Sequence, residues 1–316
     1  MRQDLNNKPR KLVRGDLVEV RSAEEILETL DEKGALDNLP FMPEMLDSLG
    51  KRFRVHRRVE HFTIDGASLC EGESAVRSLT GDDVVILEAM RCSGQSHGGC
   101  KRGCMIFWKE SWLSLVAKDS PVASPGNLEL LSERLVIKSD PEKFYCQSSQ
   151  LVKASVHLGW KERILKCIRN VRSGNYSFLE MVRNLLVWFR CRIGDKVFGI
   201  FPTGTLKKTP SESLDLQEGE LVEVKTLAEI TKTLDANGCN RGLHFSREMI
   251  PYCGRQLKVL AKADRMIAEG SGIMRKMRNT VILENSVCDS ATWAFGACPR
   301  EDHIYWREIW LKRICK

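Results

Sequence analysis

The chain has 316 residues, 49 Lys and Arg against 42 Asp and Glu, a formal net charge of +7 and 42% hydrophobic residues. That is long enough for two ordinary domains and too apolar for a disordered chain, and the positive balance fits an acidic or nucleic-acid partner without selecting either. Twelve cysteines behind an N-terminus with no apolar signal segment predict a cytoplasmic setting, with metal ligands or buried thiols ahead of disulfides.

Residues 1–14 read as a basic tail. From Gly15 the sequence GDLVEVRSAEEILETLDEKG predicts a short strand, then a helix capped by Ser22 with Glu25 three residues on. Ile26, Leu27 and Leu30 form its apolar stripe, and Gly34 stops it. KRFRVHRRVEHFTI and DDVVILEAM read as longer strands. Alternation in the first turns Arg52, Arg54 and His56 to solvent and Phe53 inward. The basic run therefore lacks the exposed rings of a single-strand nucleic-acid platform.

The second strand runs into CSGQSHGGCKRGC, with Cys92, His97, Cys100 and Cys104 spaced C-x4-H-x2-C-x3-C. Thiolate and imidazole are the ligands zinc prefers, and four close a tetrahedral site. Gly94, Gly98, Gly99 and Gly103 permit the turns that bring them together. An iron–sulfur cluster is the competing cofactor. Cys146 is a further donor if the chain folds back, as are Cys70 and His61; with Cys146 as ligand, His97 is released for proton transfer. GQSHG matches the G-x-S-x-G nucleophile pattern in letters only, since no helix pattern follows Ser96. In FWKESWL, Trp108 and Trp112 share a face if the segment is helical; they read as a core lid, with Glu110 as a surface ion pair or a polariser of metal-bound water.

Residues 119–158 read as a polar connector. Gly159–Gly194 reads as two helices broken at SGNYS, the second capped by Ser177 with Glu180. Its stripe Phe178, Met181, Leu185, Val187 and Trp188 is expected to pack between the two units. Charges at Glu180, Arg183, Arg190 and Arg192 exclude a comfortable membrane span. Residues 195–215 form a second connector.

Residues 216–316 repeat residues 15–118. The 41-residue segments from Gly15 and from Gly219 align without a gap at 17 identities. VILEAMRC then pairs with VILENSVC, and FWKESWL with YWREIWL. The expected fold is α+β, mainly β: tandem duplicated small SH3-like barrels joined by a helical pair. In the second copy Cys288 and Cys298 match Cys92 and Cys100, Asp302 with neighbouring His303 falls opposite Cys104, and His97 has no counterpart. Cys288, Cys298 and His303 are thus a weaker second site, and loss of metal from that copy is the expectation.

The blocks VEVRSxEEIL, PFMPEM, VILE-x3-C and W-[KR]-E-x-W-L resemble a two-repeat family of uncharacterised bacterial proteins. The resemblance implies this architecture and a bacterial, cytoplasmic setting, and no reaction. The Gly-Asp-x-Val-x-Val start resembles, over one strand and its turn, the barrel of the nitrile hydratase β-subunit, which bears on fold alone.

Three functions remain in view. A metal-stabilised binding module would use the ion structurally and present a surface to a protein partner or carrier. A metalloenzyme of a biosynthetic pathway would leave one metal position open to a small-molecule substrate, with His97 or Glu110 moving protons. A nucleic-acid-binding tandem barrel is the least favoured.

Overall fold

A computed structural model describes residues 10–64, 75–116, 124–198, 202–288 and 295–314. LVEV forms the Leu17–Val20 strand, with Val18 and Val20 fully buried, and it lies inside a five-stranded antiparallel sheet. The order across that sheet is Met105–Lys109, Val84–Arg91, Arg52–Arg58, Leu17–Val20, Leu113–Leu115. Its two edge strands are separated in sequence only by the 3-10 turn Glu110–Trp112. So short a link forces the sheet to curl until its edges approach, giving a half-barrel.

The second half holds a sheet of the same order: His303–Arg307, Thr280–Val287, Gln256–Lys262, Leu221–Val224, Leu311–Arg313. Registers correspond residue by residue. Val18 faces Phe53 and Leu115 as Val222 faces Leu257 and Arg313, and Val85 faces Trp108 as Val281 faces Trp306. Both sheets carry an irregularity at the same place, between Val55 and Arg57 and between Val259 and Ala261.

The identities shared by the two halves do the same work in each. Ser22 with Glu25, and Thr226 with Glu229, make capping boxes on five-residue helices, Ala23–Leu27 and Leu227–Thr231. The Thr29 hydroxyl accepts from Trp112 Nε1 at 3.0 Å, and Thr233 accepts from Trp310 Nε1 at 3.0 Å. Phe41 lies edge-on to Trp112 at 5.3 Å, and Phe245 to Trp310 at 5.3 Å. The tryptophan pairs do not lie on a helix: Trp108 and Trp306 are on edge strands, Trp112 and Trp310 on the turns that follow, and all four are fully buried. Glu110 accepts from the Leu12 amide and pairs with Arg58, and Glu308 accepts from the amides of Leu214, Asp215 and Leu216. Each glutamate therefore anchors the strap leading into its half.

Residues 124–158 carry regular structure where the sequence suggests a connector. They form a helix, Leu128–Arg134, a hairpin and a short helix, Gln147–Gln150, before the Ser155–His157 strand pairs with Val76–Leu79. Two helices follow, Trp160–Arg172 and Phe178–Phe198, with Ser177 and Glu180 capping the second. Met181, Leu185 and Trp188 pack with Cys167 and Phe295. Phe178 and Val187 are exposed instead of packed, because the helix touches the second half along one narrow side. Among the described residues no helix is long and apolar enough to cross a membrane.

The basic strand Arg52–Arg58 is committed to internal contacts. Arg52 pairs with Glu19, His56 and Arg57 meet Glu301, and buried Arg58 pairs with Glu60.

Replacing Thr29 or Thr233 by valine strands a buried indole N–H. Each change should lower stability by about 1–3 kcal/mol, read as a reduced midpoint in urea denaturation. No loss at either position would contradict this account of the paired cores.

Candidate metal centre

The Val84–Arg91 strand ends at Cys92, whose amide donates to the Cys104 carbonyl at 2.8 Å, so the intervening residues leave the sheet and return to it. Inside that excursion the amides of His97 and Gly99 both donate to the Gly94 carbonyl, at 3.1 and 3.0 Å. The Cys100 amide donates to the His97 carbonyl at 3.3 Å. These nested turns need left-handed backbone, which Gly94 supplies at φ +69°; a Cβ there would lie 2.0 Å from the Cys100 carbonyl oxygen. Glycine is required at that position on two counts.

Three other segments close over the loop. The 3-10 helix Pro43–Ser48 brings up Glu44. Gln147 docks the Cys146 segment: its side-chain oxygen accepts from the Phe107 amide at 2.8 Å, and its nitrogen donates to the Phe107 and Pro40 carbonyls at 2.8 and 3.1 Å. This side chain thus occupies the open hydrogen-bonding edge of the Met105–Lys109 strand and fixes the neighbouring cysteine. From the second half, the Arg265 carbonyl accepts from the Lys101 amide, and the Ile267 amide donates to Cys100 Sγ at 3.3 Å. A buried ion network, Arg102 and Arg300 on Glu269, clamps the two halves beside the loop.

The result is a cavity of ≈ 30 Å³ lined by Met42, Cys92, His97, Cys100, Cys104 and Cys146 among others. It has room for one ion or water and none for an organic substrate. Every donor expected from the first-half loop therefore borders one space, with Cys146. No disulfide joins the described cysteines.

At its edge the tight group is Cys92 and His97 of the lining with Glu44, whose ligand atoms all lie within 4.8 Å of one another. His97 is buried; its Nδ1 is 2.9 Å from Glu44 Oε1 and its Nε2 is 3.2 Å from the Tyr145 carbonyl. A carbonyl only accepts, so Nε2 carries a proton, and Nδ1 then faces the carboxylate. Where Nδ1 also carries a proton, the pair is a hydrogen-bonded imidazolium and carboxylate; to ligate an ion Nδ1 would give up that proton while the Tyr145 carbonyl held the second N–H. Glu44 Oε2 is buried without a hydrogen-bond partner. Burial raises the Glu44 pKa, but the His97 contact and the Ser96 amide outweigh it, so the carboxyl lies below its usual value. A buried, ionised oxygen with no donor is costly unless a cation meets it.

The thiols titrate the other way. Burial pushes Cys92 far up, with the charges of Glu44, Cys104 and Cys146 adding to it. Burial raises Cys104 to about 12 and raises Cys146 as well.

Glu44 is the donor that the sequence reading leaves out. Its signal is the Glu-Met identity between the repeats, Glu44 with Glu248. The same pairing recurs in the second half, where the Cys288 thiol donates to Glu248 Oε2 at 3.4 Å. Cys298 and His303 lie elsewhere. Cys298 is buried with its carbonyl accepting from Tyr176, and His303 packs on Gly103, its pKa lowered to about 4 by burial and Arg91. Among the described residues they do not join Cys288 in a donor cluster. Cys70 lies outside the described residues. His61 is buried against Asn170.

Gly94→Ala should break the nested turns and separate Cys92 from His97. The expected result is a lower melting temperature, and an unchanged one would contradict the required turn. Comparison with known proteins finds no matching family model, no matching curated protein and no matching solved structure, so what is said of this centre rests on its own geometry.

Proposed function

We propose that the protein is a cytoplasmic metal-binding module whose first half holds one zinc ion. The observation that carries this is the convergence of Glu44, Cys92 and His97 within 4.8 Å, two of which, Cys92 and His97, line the ≈ 30 Å³ cavity. Those three form the face on which the ion sits, and the thiols of Cys100, Cys104 and Cys146 on the same cavity close it. Mixed oxygen, nitrogen and sulfur donors at this spacing suit zinc. With no room for substrate, the ion's role is to tie the loop, the Pro43–Ser48 turn and the second half together.

The matching strand orders and registers support a tandem duplication of SH3-like barrels. A protein partner is supported by the helical pair, where Leu179, Val182, Leu186, Phe189 and Ile193 are exposed. Their alternating three- and four-residue spacing makes a continuous apolar seam suited to an added helix.

A second reading has its own support. Four thiols border the cavity, and the amides of Ile267 and Gly94 point at Cys100 and Cys92 sulfurs, as around iron–sulfur clusters. On that reading His97 and Glu44 are a proton-transfer pair in a metalloenzyme. The ≈ 30 Å³ volume favours the single ion.

Elemental analysis with an absorption spectrum on anaerobically purified protein separates the two. Zinc at one equivalent and no visible colour is expected, falling below about one-tenth equivalent in Cys92→Ser. Iron with sulfide and visible charge-transfer bands would replace zinc by the cluster; no metal at all would remove both readings.

The raised thiol values also fix the sign of the pH dependence. Below these values the thiols are protonated, so the metal must displace protons to bind. Apparent zinc affinity in a chelator competition should therefore climb with pH, by about tenfold per pH unit for each thiol that ionises. A flat profile between pH 6 and 8 would mean that no cysteine ligates.

A further inference from the structure

The two halves differ sharply where their edge strands end. In the first half, Lys109 is buried and its ammonium is neutralised by Asp37 at 2.6 Å and Asp83 at 2.8 Å. Sheet register and the repeat alignment put Arg307 in the place of Lys109, Arg241 in that of Asp37 and Asn279 in that of Asp83. Both acids are gone, one exchanged for a cation.

Arg307 donates instead to uncharged groups: the carbonyls of Asn240, Arg278 and Arg241, and the Thr280 hydroxyl at 2.9 Å. It is 9% exposed. Burial and the charge of Arg241 both lower its pKa, as expected of a cation held without an anion. Around it opens a cavity of ≈ 540 Å³ lined by Lys207, Lys208, Arg241, Lys276, Arg278 and Arg307, with no acidic residue in the lining. Among the described residues, no ion pair joins any of these six to a carboxylate. Concentrating that much like charge in one concavity is unfavourable unless an anion enters.

We propose that this cavity binds a compact polyphosphorylated small molecule. Its volume lies in the range of small-molecule sites, and guanidinium and ammonium groups recognise phosphate oxygens. The lining has no aromatic ring on which a nucleobase could stack, so recognition is through the phosphates. The site is separate from the metal centre, and neither depends on the other.

The test is calorimetric titration of the full chain with sodium tripolyphosphate near physiological salt. Saturable one-to-one binding is expected. Arg241→Asp restores the acid found at Asp37; both positions have left-handed backbone, φ +47° and +51°, which aspartate tolerates, so the fold should persist. That variant should weaken binding by about tenfold or more, and Asn279→Asp should weaken it as well. Lys161→Glu, an equal charge change on the Trp160–Arg172 helix, should alter it less than about twofold. The proposal is overturned by absence of saturable binding, by equal weakening in Lys161→Glu and Arg241→Asp, or by single-stranded oligonucleotide or phosphoinositide vesicles binding without competition from tripolyphosphate.

Discussion

A carboxylate, an imidazole and a thiol cannot share a dry space cheaply. Glu44 is held ionised against His97, with its second oxygen buried and lacking a hydrogen-bond donor, and Cys92 stands beside them. The sheet, the loop and the covering segments all bear on this point. The Cys92–Cys104 excursion, the turn carrying Glu44, the Gln147-anchored segment and the Arg265–Ile267 strand of the second half come from distant parts of the sequence. A cation bridging their donors, as proposed, would add to the hydrogen bonds and the Arg102–Glu269–Arg300 network that already hold this glycine-rich loop.

The second half shows what the same framework does without that centre. It keeps the strand order, the tryptophan–threonine contact and the glutamate strap, so these belong to the barrel-like core. It keeps the cysteine–glutamate pair, and among the described residues that pair is not part of a three-donor cluster. Its hairpin, Arg265–Ile267 with Met274–Lys276, lies across the first half's Cys92–Cys104 loop. One half thus carries the Glu44, Cys92 and His97 cluster, and the other packs a hairpin against the loop that bears it. At the position of the neutralised Lys109 of the first half the second half holds Arg307 beside Arg241, with no ion pair to a carboxylate for either among the described residues.

Much of this was legible from sequence because repetition doubled the signal. The capping boxes, the LVEV strands, the helix break at Ser173–Ser177 and the mainly β character follow from local pattern. The loop cysteines and His97 were identifiable from ligand type, and Cys146 from the possibility that the chain folds back. Glu44 was not, because a glutamate in a proline-started turn carries no local sign of which distant loop it will meet. The secondary structure of FWKESWL was left open by its pattern, because four-residue spacing fits a helix and also a strand that ends in a tight turn. Residues 124–158 looked like linker because their burial depends on one long-range strand pairing and on Gln147, neither of which has a periodic signature.

X-ray absorption at the zinc edge on protein purified without added metal tests the central claim most directly. A mixed shell is expected, with sulfur near about 2.3 Å and nitrogen or oxygen near about 2.0–2.1 Å, and with the lighter-atom part reduced in Glu44→Ala. A shell of nitrogen and oxygen alone, or a spectrum unchanged by Glu44→Ala and Cys92→Ser together, would contradict it.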